Sequence, residues 1–225
     1  MTTSDIARIK RKIANVLQAH AGVSPATTRG ILPTSSLQGK LYEAHVLAAI
    51  CEKLVTQEGL SIRLVRGGTL RLKQKGGPIN RLFPYFKVYK SGVLFAEIFT
   101  DTYFSTLSYD LRGRPVNRTY GDYHELDIAM VTPGASSYPE PHQIMLAVEC
   151  KNTKIEKHII REVLGFRREL SYYLPGSPTS FTSWPTSSIN ADPSSVHMVY
   201  ASDRRITRYV QNCLQFGVLL EHHKA

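Results

Sequence analysis

The sequence predicts an α/β protein in which a central mixed β-sheet is flanked by helices, and three observations lead there. Two early segments repeat their apolar residues every three or four positions, as helices do. Later segments alternate in the order strand, strand, helix, strand, helix, strand, with Gly, Pro and Ser between them. The run Ile144-Met145-Leu146-Ala147-Val148 is apolar without a break, as a short strand covered on both faces requires. At 225 residues and 42% hydrophobic, the chain can bury one core but is short for two. One domain over 1–225 is expected, with 1–36 as an N-terminal helix and loop and 37–222 as the core.

Residues 4–20 read as a basic amphipathic helix, with Ser4 suited to its N-cap and Ile6, Ile9, Ile13 and Leu17 on one face. Arg8, Lys10, Arg11 and Lys12 crowd its start against the sign of the helix dipole, which points them to something outside the helix. Ser24–Ser36, rich in Ser, Thr, Pro and Gly, reads as a connection. A second helix is expected from Leu37 to Thr56, with Glu43 on the same stripe as Leu47, Ile50 and Leu54, and Lys40 one turn back as its natural partner.

Strand patterns follow. Ser61–Lys73 reads as a basic hairpin about Gly67-Gly68, and Leu82–Tyr89 and Val93–Thr100 as a second hairpin through Lys90-Ser91-Gly92. Tyr85, Phe86 and Tyr89 interleave with basic residues, a pattern that suits stacking on bases and core packing alike. Leu107–Gly121, with Arg112, Arg114 and Arg118, reads as a flexible basic loop, and Tyr123–Val131 as a strand carrying Glu125 and Asp127 on one face. Glu156–Leu174 should be a helix with Ile159, Ile160, Val163, Phe166, Leu170 and Tyr173 inward and Lys157, Arg161, Arg167 and Arg168 outward, ended by Pro175-Gly176. Residues 175–195 read as a long loop, a lid or an insertion. Val196–Ala201 should be a strand, Arg204–Phe216 a helix and Gly217–His222 a last strand, with His222 and His223 in a solvated tail.

The net charge of +10 is unevenly spread. Residues 1–90 hold 15 Lys and Arg against 4 Asp and Glu, while 91–225 hold 13 against 14. Such an asymmetry suits a polyanion, above all nucleic acid, held by the first part. A solvated basic face or an acidic protein partner is the competing account. No run of about 18 apolar residues is present to span a membrane, and no apolar signal segment opens the chain, so a cytoplasmic protein is expected. Cys51, Cys150 and Cys213 are scattered among apolar neighbours and read as buried thiols.

The chemistry gathers around the end of the apolar run. Glu149 and Lys151 project to one face of that strand and Cys150 to the other. Charges at the dry end of a central strand need a partner, a metal or a task. An ordinary Glu149–Lys151 ion pair and an Asp127 bonded to backbone amides are the plain structural readings. Together, however, Asp127, Glu149 and the main-chain carbonyl of Cys150 offer oxygen ligands to a hard divalent cation, Mg²⁺ with Mn²⁺ as substitute. Lys151 could orient a water and offset transition-state charge, with Glu43 as a further acid. Such an apparatus hydrolyses phosphodiesters.

Glu125-Leu126-Asp127-Ile128 followed by Leu146-Ala147-Val148-Glu149-Cys150-Lys151 resembles the motif of the PD-(D/E)XK nuclease superfamily, and the order of elements over about residues 37–222 resembles its restriction-endonuclease-like core. The resemblance implies metal ligation by Asp127 and Glu149, water activation by Lys151 and a supporting acid at Glu43, on a core that carries a basic N-terminal helix and β-hairpin additions. Leu126 stands where the motif has proline. The expected function is a metal-dependent endonuclease acting on DNA in preference to RNA, in a restriction, defence or repair setting, as a homodimer or within a larger complex. Arg8, Lys10, Arg11, Lys12, Arg63, Arg66, Arg71, Lys73, Arg112 and Arg114 are its expected nucleic-acid contacts. A catalytically silent nucleic-acid-binding subunit with the same fold is the alternative, and metal-dependent cleavage separates the two. A thiol hydrolase built on Cys150 is disfavoured, since that side chain should face packed core.

Overall fold

A computed structural model describes residues 3–24, 38–66 and 75–224. Its helices are α1 (Thr3–Ala21), α2 (Gln38–Thr56), α3 (Leu107–Leu111), α4 (Lys157–Leu170) and α5 (Val210–Leu214). The strands are β1 (Ser61–Val65), β2 (Tyr85–Lys90), β3 (Val93–Ser105), β4 (Tyr123–Val131), β5 (Ile144–Lys151), β6 (Ser177–Pro178), β7 (Ser188–Ile189), β8 (Val196–Ala201) and β9 (Val218–His222). Seven of them form a mixed sheet of order β1-β2-β3-β4-β5-β8-β9, and β6 and β7 make a small ladder of their own. From β1 to β5 each strand pairs antiparallel with the next. β5, β8 and β9 then pair in parallel, so β5 is where the sheet changes its mode of pairing. Parallel neighbours need a crossover, and α4 supplies it between β5 and β8.

The two faces of the sheet are covered by different helices. Val196, Met198 and Tyr200 of β8 pack in the cluster that contains α2, while Val199 and Ala201 pack in the one that contains Ile159, Ile160 and Val163 of α4. Alternation along one strand therefore places α2 and α4 on opposite faces. α2 is buried on nearly every side, through Leu41, Tyr42, Ala44, Val46, Leu47, Ile50 and Leu54. A helix of that kind needs cover on its outer side too, and α1 provides it with Ile9, Ile13 and Leu17. Each of those three contributes about 1.5–3 kcal/mol by burial. They hold α1, and with it the exposed Arg8, Arg11 and Lys12, against the body.

Several expectations are corrected by the packing. β2 begins at Tyr85, because Leu82 and Phe83 are exposed and cannot serve a sheet face. β1 pairs antiparallel with β2; the turn and second arm of the expected hairpin, with Gly67, Gly68, Arg71 and Lys73, lie outside the described residues, as does most of Ser24–Ser36. The segment Leu107–Gly121 is anchored at its start by α3, whose Thr106 side chain caps the Tyr109 amide. α4 ends at Leu170, leaving Tyr173 half exposed, and its Arg167, expected outward, is buried. Arg204–Tyr209 is a 3-10 turn that precedes the short α5. His223 is no solvated tail: its ring meets His45 at 3.1 Å, and Tyr42 donates to its carbonyl at 3.1 Å. Cys51 and Cys213 are buried, while Cys150 is partly exposed. Among the described residues no helix is long and apolar enough to cross a membrane.

Candidate active site

The site starts from a fault shared by two strands. Phe99 and Phe104 of β3 lie in one cluster, although odd and even positions of a regular strand face opposite ways; Leu126 and Ala129 of β4 do the same. Both strands therefore change face between those residues. Asp101 sits inside the change on β3, in the left-handed region at φ 48°, which Asp tolerates better than bulkier side chains. The β3–β4 pairing runs through Thr100↔Ile128 and Thr102↔Leu126 and passes over the position between, where Asp101 meets Asp127. Two carboxylates thus stand opposite each other at a break in the ladder.

α2 adds a third. Lys40 and Glu43 are one turn apart, and Lys40 Nζ donates to Glu43 Oε2 at 2.7 Å and to Asp101 Oδ1. Carboxylate oxygens of Glu43, Asp101 and Asp127 all lie within 4.8 Å of one another. Asp127 Oδ2 also accepts the Cys150 amide at 2.6 Å, which ties β4 to the end of β5. Beside it, Lys151 Nζ donates to Glu149 Oε2 at 3.0 Å and reaches Glu162 of α4 at 3.5 Å. Glu125 closes the outer edge: a Cβ on Gly76 would meet its carboxylate and the Tyr103 ring, so a larger residue there would have to push both side chains aside.

Charge governs this arrangement. Glu43, Asp101, Asp127 and Glu149 share a small, half-buried volume with two ammonium groups, Lys40 and Lys151. Burial pushes the Glu43 carboxyl up to about 7, with repulsion from Asp127 and Asp101 adding to it and Lys40 opposing. Burial and then Asp127 raise the Glu149 carboxyl, against the pull of Lys151. Burial raises Asp127 too, against the bond from the Cys150 amide. Burial alone would lower Lys40, but its bonds to Asp101 and Glu43 hold it above the ordinary value. The acids are thus short of positive charge.

An anionic, oxygen-only donor set suits a hard divalent cation. Oxygens around an ion at about 2.1 Å lie at most about 4.2 Å apart. The 4.8 Å spread is therefore slightly open, and Lys40 occupies the place of a cation between two of the three acids.

Of the residues expected from the sequence, Glu43 and Asp127 meet directly, Glu149 and Lys151 pair beside them, and Cys150 enters through its amide. Asp101 was not expected. It lies one residue past the predicted strand Val93–Thr100, and its signal in the sequence is the lost alternation between Phe99 and Phe104. Among the basic residues, Arg63 and Arg66 are exposed, and Arg63 lies over the Tyr89 ring at 5.7 Å. Arg112 pairs with Asp122, and Arg114 with Asp110 at 3.0 Å and Glu140 at 2.6 Å, so both guanidinium groups already have carboxylate partners, which tie their segment to its neighbours.

Fold and site together define an α/β protein with a carboxylate cluster on α2, β3 and β4, bridged by Lys40, beside the Glu149–Lys151 pair of the strand where the mixed sheet turns parallel. Compared with protein-family models, with curated proteins and with solved structures, the chain matches none.

Proposed function

We propose that the protein is a metal-dependent endonuclease with a restriction-endonuclease-like core of PD-(D/E)XK type, acting on DNA in restriction, defence or repair. The observation that carries this reading is the convergence of Glu43, Asp101 and Asp127 from three separate elements, beside the Glu149–Lys151 pair. Glu43, Asp101 and Asp127 would hold Mg²⁺, with Glu149 as a further ligand. The ion supplies polarisation of a phosphoryl oxygen and a lowered pKa for bound water. Lys151, kept protonated by Glu149, orients the incoming water and offsets charge that develops on the phosphoryl group. Lys40 neutralises Glu43 and Asp101, and a bound cation would share these carboxylates with it. Arg8, Arg11, Lys12, Arg63 and Arg66, all exposed, meet phosphates and make binding fall steeply with salt. Cutting both strands of a duplex needs two such sites, hence two copies of this chain or a larger complex.

A second reading is favoured by one specific observation. Because Lys40 bridges Glu43 and Asp101, the cluster carries its own cation, as a catalytically silent nucleic-acid-binding subunit would. Incubation with double-stranded DNA, single-stranded DNA and RNA in Mg²⁺, Mn²⁺ or EDTA separates the two. The nuclease reading expects cleavage in metal alone, and an Asp127→Asn protein that binds but does not cut. Salt-sensitive binding with no cleavage in either metal would leave the silent subunit standing.

A further inference from the structure

A second concave site lies away from the acids, at the C-terminal end of α4. It is a cavity of about 410 Å³, within the range of small-ligand pockets of roughly 300–1,000 Å³. Leu164, Tyr172, Tyr173 and Phe216 make its apolar walls, with the Tyr173 and Phe216 rings 6.4 Å apart and tilted. Both rings are 54% accessible, so their faces are open to a ligand.

The charged groups of this cavity, Arg167 and Arg168, are of one sign. Arg167 is 3% exposed, and its two Nη atoms donate to the hydroxyl and carbonyl of Ser195 at 3.2 Å and 2.7 Å. Its Nε has no partner, nor does the Oγ of the buried Ser171 one turn on. Among the described residues Arg167 forms no salt bridge, and burial alone pushes its guanidinium down to about 9. The C-terminal dipole of α4 favours a cation here and answers for part of the charge, but it leaves Nε–H unsatisfied. A buried guanidinium without an anion is costly, and charge complementarity calls for an anionic ligand. Arg168, over the Tyr172 ring at 5.6 Å, adds a second and accessible cation at the rim.

We propose that this cavity binds a nucleoside monophosphate unit, its phosphate drawn to Arg167 and Arg168 and its base packed against Tyr173 and Phe216. The site is independent of the acidic cluster, and its test is binding, not cleavage. The unit could be a free nucleotide or the 5′-phosphorylated end of a strand.

Calorimetric titration with AMP is expected to saturate, with adenosine and inorganic phosphate each at least about tenfold weaker, since each lacks one half of the recognition. Because Arg167 is buried and its replacement could disturb folding, the exposed Arg168→Gln and Tyr173→Ala are the primary variants. Each should weaken AMP by about tenfold while leaving Tm unchanged. A 5′-phosphorylated tetranucleotide that binds at least as tightly as AMP, with its unphosphorylated form weak, identifies a strand end; AMP binding without tetranucleotide binding identifies a free nucleotide. The proposal is overturned by no saturable AMP binding at millimolar concentration, by adenosine or phosphate binding as tightly as AMP, or by unchanged affinity in Arg168→Gln and Tyr173→Ala. A folded Arg167→Met protein that keeps its AMP affinity would overturn it as well.

Discussion

Two of the regions in which this molecule buries carboxylates hold them in opposite ways. Glu58, just beyond α2, accepts the amides of Thr182 at 2.9 Å, Ser183, and Trp184 at 2.7 Å, together with the Thr182 hydroxyl at 3.1 Å. Burial by itself would raise its carboxyl, yet these donors hold it below the ordinary value. In the cluster on β3, β4 and α2 the acids face one another, donors are few and Glu43 rises to about 7. A buried acid is therefore no sign of function in itself. Shortage of donors and cations is what sets the cluster apart from a structural clasp, and it is what the proposed function rests on.

The sharpest test of that difference is to neutralise each kind of acid. Asp101→Asn, Asp127→Asn and Glu149→Gln should each abolish Mg²⁺-dependent cleavage while the protein stays folded, and Lys151→Ala should slow it by roughly 10². A folded Asp101→Asn protein with full activity would return the kinked strands to a structural role. Glu58→Ala should do the reverse. Several amides lose their acceptor together, so stability should fall by roughly 3 kcal/mol, lowering Tm by roughly 6–12 °C at this chain length. Cleavage below Tm should be retained; its loss would show that the clasp belongs to the site.

Lys40→Met tests which cation the cluster needs. Without metal the variant should lose roughly 2 kcal/mol, since Glu43 and Asp101 are left facing each other. If the site is made for a divalent ion, Mg²⁺ should then raise Tm more in the variant than in the wild type. Equal or smaller stabilisation would mark Lys40 as the resident cation.

The smallest effect is on pH. Glu43 rises from 4.5 to about 7 on folding, so its contribution is complete below about pH 4.5 and is lost as pH climbs through 7. Metal-free Tm should therefore fall by a few degrees across that interval, and Glu43→Gln should flatten the slope. Glu58 has the opposite sign: its carboxyl is held low, so its contribution is lost as pH falls below about 4.5. A Tm profile flat from pH 5 to 7.5 would mean that the cluster is not crowded.

Much of this was legible in the sequence because it rests on local periodicity. β4 spans the predicted Tyr123–Val131, and α1, α2, β5 and β8 lie within a residue or two of their expected limits. Glu43, Asp127, Glu149 and Lys151 stood out as charges on apolar stripes. What escaped depends on partners distant in sequence. The Ser-, Thr- and Pro-rich segment 175–195 offers no periodicity, yet it puts Phe181, Trp184 and Ile189 into the main core and wraps Glu58 from more than 120 residues away. Charge alone points Arg167 outward. It lies four residues after Val163 and three before Leu170, on the buried stripe itself.

The order of strands also sets when the acids can meet. Asp101 and Asp127 come together through the pairing of consecutive strands, whereas Lys40 reaches Asp101 across 61 residues and Lys151 is fixed only with its parallel neighbour. Short loops close sooner than long ones, so a folding chain should assemble the repelling pair before the ammonium group that relieves it. The folding barrier would then carry an electrostatic component. Refolding followed by Trp184 fluorescence should speed up as pH drops from 7.5 to 5 and in Asp101→Asn; a rate indifferent to both would mean that α2 docks first.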